Sequence, residues 1–171
     1  MDEALIENWN SVVSEGDIVY NLGDLSMNRG KGEKVISYYT KILSQLNGRH
    51  ILILGNHDHM KPYQYVNCGI ESVHTSLILP KTWKTRPILL AHDPAVATAM
   101  PHNMMMICGH VHDTFTKLTS PKKILNVGVD VWDYKPVEYS VALDALKNKE
   151  RDKDFTFDDL NKFGRHNKNK E

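Results

Sequence analysis

The sequence predicts an α/β protein with one main domain. Helical and strand-like segments alternate along its 171 residues, a pattern typical of layered α/β folds. Several strand-like runs are apolar throughout, as in HILIL at 50–54 and PILLA at 87–91, and such runs are typical of strands covered on both faces. A chain of this length can bury a core that needs no disulfides.

The individual elements follow from periodicity and turn signals. Two helices are predicted where apolar residues recur at the helical period, at 1–14 and 33–46. A short strand at 17–23 lies between them and ends at Gly23. Apolar runs predict further strands at 50–54, 76–79, 87–91 and 104–108. The remaining β-rich segments are 115–119, 123–130 and 137–146, with a hairpin turn at Ser120-Pro121.

The composition changes near the end of the chain. We expect the domain to cover residues 1–146 and a charged C-terminal extension to cover 147–171. Lys, Asp, Glu and Asn dominate this extension, which is typical of a solvated segment with at most one short helix. Its apolar side chains are Phe155, Phe157, Leu160 and Phe163.

Bulk composition excludes several classes of protein. Hydrophobic residues make up 41% and charged residues 25%, as in ordinary globular proteins. Basic and acidic residues both number 21, so no net charge attracts nucleic acid or an acidic membrane. The start of the chain has neither a signal-peptide nor an anchor pattern, and we expect a cytoplasmic protein without a membrane partner. Cys68 and Cys108 are too few for a disulfide framework, and Cys108 is expected to pack as a small hydrophobe.

Polar residues that carry oxygen or imidazole groups follow four of the predicted strands. Asp24 follows the first, Asn56 the second, His92 the third, and His110 with His112 the fourth. Ligands of open α/β sheets bind beyond the carboxyl ends of the strands, so we expect these side chains to converge. Oxygen and imidazole groups together suit zinc, manganese or iron better than calcium. The sequence therefore predicts a transition-metal site.

These residues stand in motifs that resemble a known family. Gly23-Asp24, the GNHD run at 55–58, His92 and the GHVH run at 109–112 have the order and approximate spacing found in calcineurin-like metallophosphoesterases. The segment 126–136 is also similar to small bacterial and phage members of that superfamily. The resemblance covers about residues 1–143, and GNHD together with GHxH after separate strands is a specific signal.

The resemblance implies a four-layer αββα sandwich that holds two divalent ions (Mn, Zn, Fe or Ni) roughly 3.5–4 Å apart. By that analogy Asp24 bridges both ions, and Asn56, His92 and His110 complete the second site. His112 would bind the first ion. His57 would protonate the leaving oxygen or assist it electrostatically while an activated hydroxide attacks phosphorus. The expected reaction is hydrolysis of a phosphate ester, with a phosphodiester or small nucleotide favoured over a phosphoprotein.

The sequence departs from the family pattern in two places. No Asp-x-His precedes Asp24, so the first-metal site is incomplete in this sequence, and we expect the fold to lack its first strand. The predicted consequences are weak binding of one ion, poor hydrolysis, and dimerisation through exposed strand edges. The second departure is Met27, which stands where protein-phosphatase-like members carry an acid.

Two alternatives and a set of other histidines complete these expectations. A degenerate family member that keeps one metal and serves as a binding module is the main alternative. A nuclease is disfavoured because no basic stripe with aromatic residues is evident. His59, next to GNHD, is left open between a pocket residue and a solvent-exposed one. Ordinary hydrogen-bonding roles are expected for His50, His74, His102 and His166.

Overall fold

A computed structural model describes residues 2–25, 33–82, 85–148 and 156–160 of the protein. Its elements confirm the α/β class. The main α-helices are α1 (Asp2–Asn10), α2 (Glu33–Leu43), α3 (Pro62–Asn67) and α4 (Tyr139–Lys147), and residues 157–160 are also helical. The eight strands are β1 (Ile18–Asn21), β2 (Arg49–Ile53), β3 (Ile70–His74), β4 (Ser76–Leu79), β5 (Ile88–Ala91), β6 (Met105–Cys108), β7 (Lys117–Leu118) and β8 (Lys123–Asn126). Short 3-10 helices cover Pro94–Ala99 and Val129–Val131.

The strands form two sheets. The first has three parallel strands in the order β1-β2-β3. The second has five strands in the order β4-β5-β6-β8-β7, in which β5, β6 and β8 are parallel. The outer strands β4 and β7 run antiparallel to their neighbours. Among the parallel strands, β2, β5 and β6 lead into polar turns that carry histidines.

Three apolar clusters hold the elements together. One joins α2 and α3 to the first sheet through Tyr39, Leu52 and Tyr65. A second joins both sheets and α4, with Ile53 from the first sheet and Leu90 from the second among its members. The third covers the remaining face of the five-stranded sheet. Successive residues of β5 and β6 alternate between the second and third clusters, so these strands are covered on both faces, as their apolar runs predict.

Several predicted segments differ in the structure. Residues 137–146 were predicted to be β-rich, but α4 occupies most of them because Ala142 and Leu146, four residues apart, bury one helical face. The β-branched Val137 and Val141 caused the wrong prediction, and Val141 is half exposed. The run 76–79 is an edge strand with alternating exposure rather than a doubly covered one.

Helix α3, strand β3 and the two 3-10 helices were not predicted from the sequence, and the 3-10 helix Val129–Val131 overlaps the end of the segment 123–130 that was predicted to be β-rich. Helix α3 begins with Pro62 at its first turn and is followed by Gly69, whose φ of 112° suits the residue after a helix end. Strand β3 comes directly after this glycine and pairs with β2. The proline and glycine are the local signal that could have identified α3, because its six residues are too few to show clear periodicity.

The C-terminal segment also differs in part from the predicted solvated extension. Leu160 is fully buried in the third cluster, and Phe157 packs against the same cluster. These two residues therefore contribute to the core. Phe155, Phe163 and Met27 lie outside the described residues. Cys68 and Cys108 are buried free thiols, in agreement with the expected packing role. Within the described ranges, no helix combines the length and hydrophobicity needed to cross a membrane.

Candidate metal centre

Four strand ends converge on one group of side chains. Asp24 follows β1 and Asn56 follows β2, both in the first sheet, while His92 follows β5 and His110 follows β6 in the second sheet. Ligand atoms of Asp24, His92 and His110 all lie within 4.8 Å of one another. Because parallel strands present their carboxyl ends at one edge, residues distant in sequence meet here. The predicted convergence of these residues is therefore present in the structure.

His92 lies at the centre of the group. Its Nδ1 donates a hydrogen bond to the carbonyl oxygen of Leu22 at 2.6 Å, which leaves a lone pair on Nε2 when the ring is neutral. Nε2 lies 2.9 Å from Asn56 Oδ1, 3.0 Å from His110 Nδ1 and 3.3 Å from Asp24 Oδ2. When His110 carries its proton on Nε2, several lone pairs point at one place, and a proton or a metal cation there would relieve their mutual repulsion.

The electrostatics of the group agree with this demand for positive charge. Burial lowers the pKa of His92, but its hydrogen bonds with Asp24 and the Leu22 carbonyl outweigh burial and raise the pKa overall. Burial raises the pKa of Asp24, while its hydrogen bonds with His92 and the His57 amide prevail and lower it. Burial and the neighbouring His92 both lower the pKa of His110. The carboxylate and the neutral His110 imidazole are therefore in ligand-competent forms.

The turn that carries Asp24 is tightly built. Asp24 itself has a φ of 55°, in the left-handed region, and follows Gly23 with a φ of 89°. A Cβ added at Gly55 would lie 2.2 Å from Asp24 Oδ1, so glycine is required for the two turns to approach this closely. Asp24 Oδ1 accepts a hydrogen bond from the His57 amide at 2.8 Å. These contacts fix the direction of the carboxylate.

His57 and His59 stand beside the group and outside the set of three ligand residues. His57 is half-buried, and its ring meets the exposed His59 ring edge to face, with 6.3 Å between the ring centroids. The His57 backbone amide donates to the Asp24 carboxylate, and the His57 side chain also lowers the pKa of Asp24 through its charge.

His112 is not brought into the group. Its side chain is 80% exposed, and its Nδ1 lies 3.0 Å from Asp130 Oδ2. The fully buried Asn126 holds the nearby backbone, because its Nδ2 donates to the carbonyl oxygens of His112 at 2.6 Å and Phe115 at 2.8 Å. Sequence reasoning missed Asp130 and Asn126 as neighbours of His112. The signal available was that Asn126 ends β8, the strand next to β6.

A cleft of about 210 Å³ opens next to the metal-ligand group. Its lining combines the ligand residues with apolar and polar neighbours, namely Leu54, Asn56, Thr75, Ala91, His92, Asp93, Val96 and His110. The volume suits a small molecule or one end of a larger one.

The histidines expected to have ordinary roles lie elsewhere. His50 is buried against Trp9, with 5.6 Å between the ring centroids. His74 contacts the hydroxyl of Ser72, and His102 is exposed. His166 lies outside the described residues.

Fold and site together define an α/β protein whose strand ends assemble a candidate transition-metal centre. No protein-family model matches the chain. The chain is 31% identical over 151 residues to the uncharacterized protein MJ1445 of Methanocaldococcus jannaschii, and the match covers 86% of the chain and 76% of that protein. The chain therefore belongs to the same family as MJ1445.

A solved structure shares the fold. The crystal structure of AQ665, a protein of unknown function from Aquifex aeolicus, matches with a TM-score of 0.57 and 22% sequence identity. The match covers 85% of this chain and 84% of that one.

Proposed function

We propose that this protein is a metal-dependent phosphoesterase. The observation that carries the proposal is the set of lone pairs around His92 Nε2, contributed by Asp24, Asn56 and His110 within 3.3 Å. Two imidazoles, one carboxylate and one amide oxygen form a donor set suited to a divalent transition metal such as manganese or zinc. The His92-to-Leu22 hydrogen bond is the outer contact that metal-ligating histidines ordinarily make.

The four residues Asp24, Asn56, His92 and His110 would hold one divalent ion. Such an ion, when bound, supplies Lewis acidity toward a phosphoryl oxygen and lowers the pKa of water. Asp24 would contribute the negative charge, and its lowered pKa keeps it ionised. His57, next to the group, would deliver a proton to the leaving oxygen of the substrate. The resemblance to calcineurin-like metallophosphoesterases supports the same assignment of roles.

The finer architecture is part of this proposal. Helices α2 and α3 pack on the first sheet, the second apolar cluster joins the first sheet to the second, and the third cluster covers the outer face of the second sheet. This order supports the first three layers of the αββα sandwich that the resemblance implies, and the outer face of the second sheet carries the 3-10 helix Pro94–Ala99 and the helical residues 157–160. The site would then lie at the edge where both sheets present the carboxyl ends of their parallel strands.

The cleft bears on the substrate class. A volume of about 210 Å³ accommodates a phosphoryl group and a small substituent. Leu54, Ala91 and Val96 give the cleft apolar walls, which suit a ring or alkyl group on the ester. We therefore favour a small phosphodiester or nucleotide as the substrate.

The second candidate function is a binding module that holds a single metal ion. The observation that favours it is the position of His112, which is paired with Asp130 rather than with Asp24, His92 and His110. Turnover separates the two functions, because a hydrolase is expected to cleave an aryl phosphodiester and a binding module is not.

Metal binding is the direct test of the site. Asp24→Ala and His92→Ala are each expected to lower the affinity for manganese or zinc at least tenfold, since each removes a ligand. Titration calorimetry on the purified variants measures this loss. His102→Ala, which removes an exposed histidine, is the matched control and should bind as the wild type does. Equal affinity in all four proteins would exclude the proposed centre.

A further inference from the structure

Asp58 is a buried acidic residue directly behind the candidate metal centre. Its side chain is among the buried polar groups, at 9% exposure. Its Oδ2 accepts hydrogen bonds from the Asp24 amide and the Gly55 amide, both at 2.8 Å. Its Oδ1 accepts from the Leu25 amide at 3.2 Å. One carboxylate thus collects three backbone amides from two turns that follow different strands.

The two turns are joined in both directions. The Asp58 carboxylate, which lies in the turn after β2, accepts a hydrogen bond from the Asp24 amide. In return, the Asp24 carboxylate, which lies in the turn after β1, accepts one from the His57 amide at 2.8 Å. Each turn therefore positions the other. Hydrogen bonds from amides to a carboxylate are stronger than those between neutral groups. The pair forms a reciprocal brace, by which we mean the contacts of Asp58 with Asp24, Leu25 and Gly55 and that of Asp24 with His57.

The brace stabilises an unfavourable backbone conformation at Asp24. A left-handed backbone is unfavourable for residues other than glycine, and Asp24 adopts it with a φ of 55°. Asp58 binds the amide of Asp24 and that of the following residue, so it stabilises this otherwise unfavourable conformation. The carboxylate of Asp24 then points toward His92 rather than into solvent.

We infer that Asp58 is the positioning residue that fixes Asp24 in its metal-binding orientation. The inference rests on the proposed metal centre and names a residue that contacts neither metal nor substrate. An amide in place of the carboxylate would present N–H groups to backbone N–H groups. A longer side chain would displace the acceptor oxygens from the two turns.

The test compares cobalt binding by wild type, Asp58→Asn and Asp58→Glu. Both variants are expected to bind Co²⁺ roughly 10- to 100-fold more weakly, the usual cost of losing an outer contact of a metal ligand. The visible absorption of bound Co²⁺ at saturation should change in both, because the orientation of Asp24 changes. Asp17→Asn is the matched control, since Asp17 also accepts a backbone amide, that of Ser14 at 2.8 Å, in an exposed turn.

Two outcomes of that comparison would overturn the inference. One is unchanged affinity and an unchanged spectrum in Asp58→Asn. The other is wild-type binding by Asp58→Glu alongside weak binding by Asp58→Asn, which would mean that Asp58 acts through its charge alone.

Amide exchange in the metal-free wild type tests the brace independently of the metal and of whether the variants fold. The amides of Asp24, Leu25 and Gly55 are expected to be protected from exchange with solvent, as acceptor-bound amides are. Rapid exchange at these three would refute the brace. A different outcome is that the three amides are protected but wild type does not bind Co²⁺. That result would refute the proposed metal centre, and it would overturn the positioning role because Asp58 would have no metal ligand to position.

Discussion

At the scale of single residues, the site depends on which nitrogen of His92 carries a proton. The Leu22 carbonyl occupies Nδ1, so Nε2 is the atom available to a cation. Neither fact can be read from the sequence, which predicts only that a histidine follows β5. The convergence of the candidate ligand residues could be predicted because they follow apolar strands. The role of Asp58 was not, because hydrogen bonds between side chains and the turns of other strands leave no periodic signal.

His57 is predicted to act in catalysis and to be unnecessary for metal binding. His57→Ala should retain the wild-type affinity for manganese, because the ring lies outside the group of Asp24, His92 and His110. Turnover of an aryl phosphodiester should fall roughly 10²- to 10⁴-fold, the usual contribution of a positioned proton donor. Steady-state kinetics at saturating metal measure the change, with His59→Ala as the control. Undiminished turnover in His57→Ala would remove this residue from the mechanism.

His50 should make stability depend on pH. Burial lowers the pKa of His50 below its ordinary 6.5, and the Leu46 carbonyl offsets only part of that effect. As the pH falls through 6.5, the unfolded chain binds the proton before the folded protein does, so the free energy of unfolding declines. His50→Gln should lose less stability than wild type between about pH 7.5 and about pH 5.5 in urea titrations with a chelator. Parallel pH curves for the two proteins would contradict this account.

At the scale of elements, the 3-10 helix at Pro94–Ala99 connects the candidate ligand His92 to the core. Asp93 begins it by accepting the Ala95 amide at 2.8 Å. Lys122 is buried next to the third cluster. Its ammonium group donates hydrogen bonds to the carbonyl oxygens of Ala97 and Met100, at the end of this helix. The helix also presents Val96 to the cleft. One wall of the cleft therefore depends on this buried ammonium group.

Lys122→Met is expected to lower the free energy of unfolding by about 1.5–3 kcal/mol, the usual contribution of hydrogen bonds to a charged group. Methionine keeps the apolar stem and removes the donors. Urea unfolding measures the change. Lys147→Met is the control, because the exposed Lys147 pairs with Asp144 in its own helix and such pairs contribute little. Equal stability of the two variants would show that the buried lysine does not hold the helix.

Prediction of the elements succeeded where one physical signal dominated. The runs that became β5 and β6 are apolar because both faces are covered, and no other structure suits so short an apolar run followed by a polar turn. Residues 137–146 carried two signals, strand-favouring valines and a four-residue spacing of Ala142 and Leu146. Packing of those two residues into the core decided the outcome, and only the tertiary structure reveals it.

At the scale of the whole molecule, the candidate centre joins the two sheets. Asp24 and Asn56 come from the first sheet, while His92 and His110 come from the second. An ion bound by all four would therefore link the sheets across their shared edge, and binding energy would become folding energy. The expected absence of a first strand ending in Asp-x-His, and the dimerisation expected from it, stay predictions.

Metal binding should raise the stability of the folded protein. At a free metal concentration about 100 times the dissociation constant, the stabilisation is about 2.7 kcal/mol. Urea unfolding with and without manganese measures it. His92→Ala should show no such gain, because it lacks the central ligand. A gain of the same size in this variant would place the stabilising ion elsewhere on the protein.

The most direct test of the proposed function is the rate of hydrolysis of an aryl phosphodiester as a function of manganese concentration. Wild type is expected to show turnover that rises to saturation with metal and disappears with a chelator. His92→Ala should remain inactive over the same range, while His102→Ala should follow the wild type. No metal-dependent turnover in wild type, or equal turnover in His92→Ala, would contradict the assignment of this site to phosphoester hydrolysis.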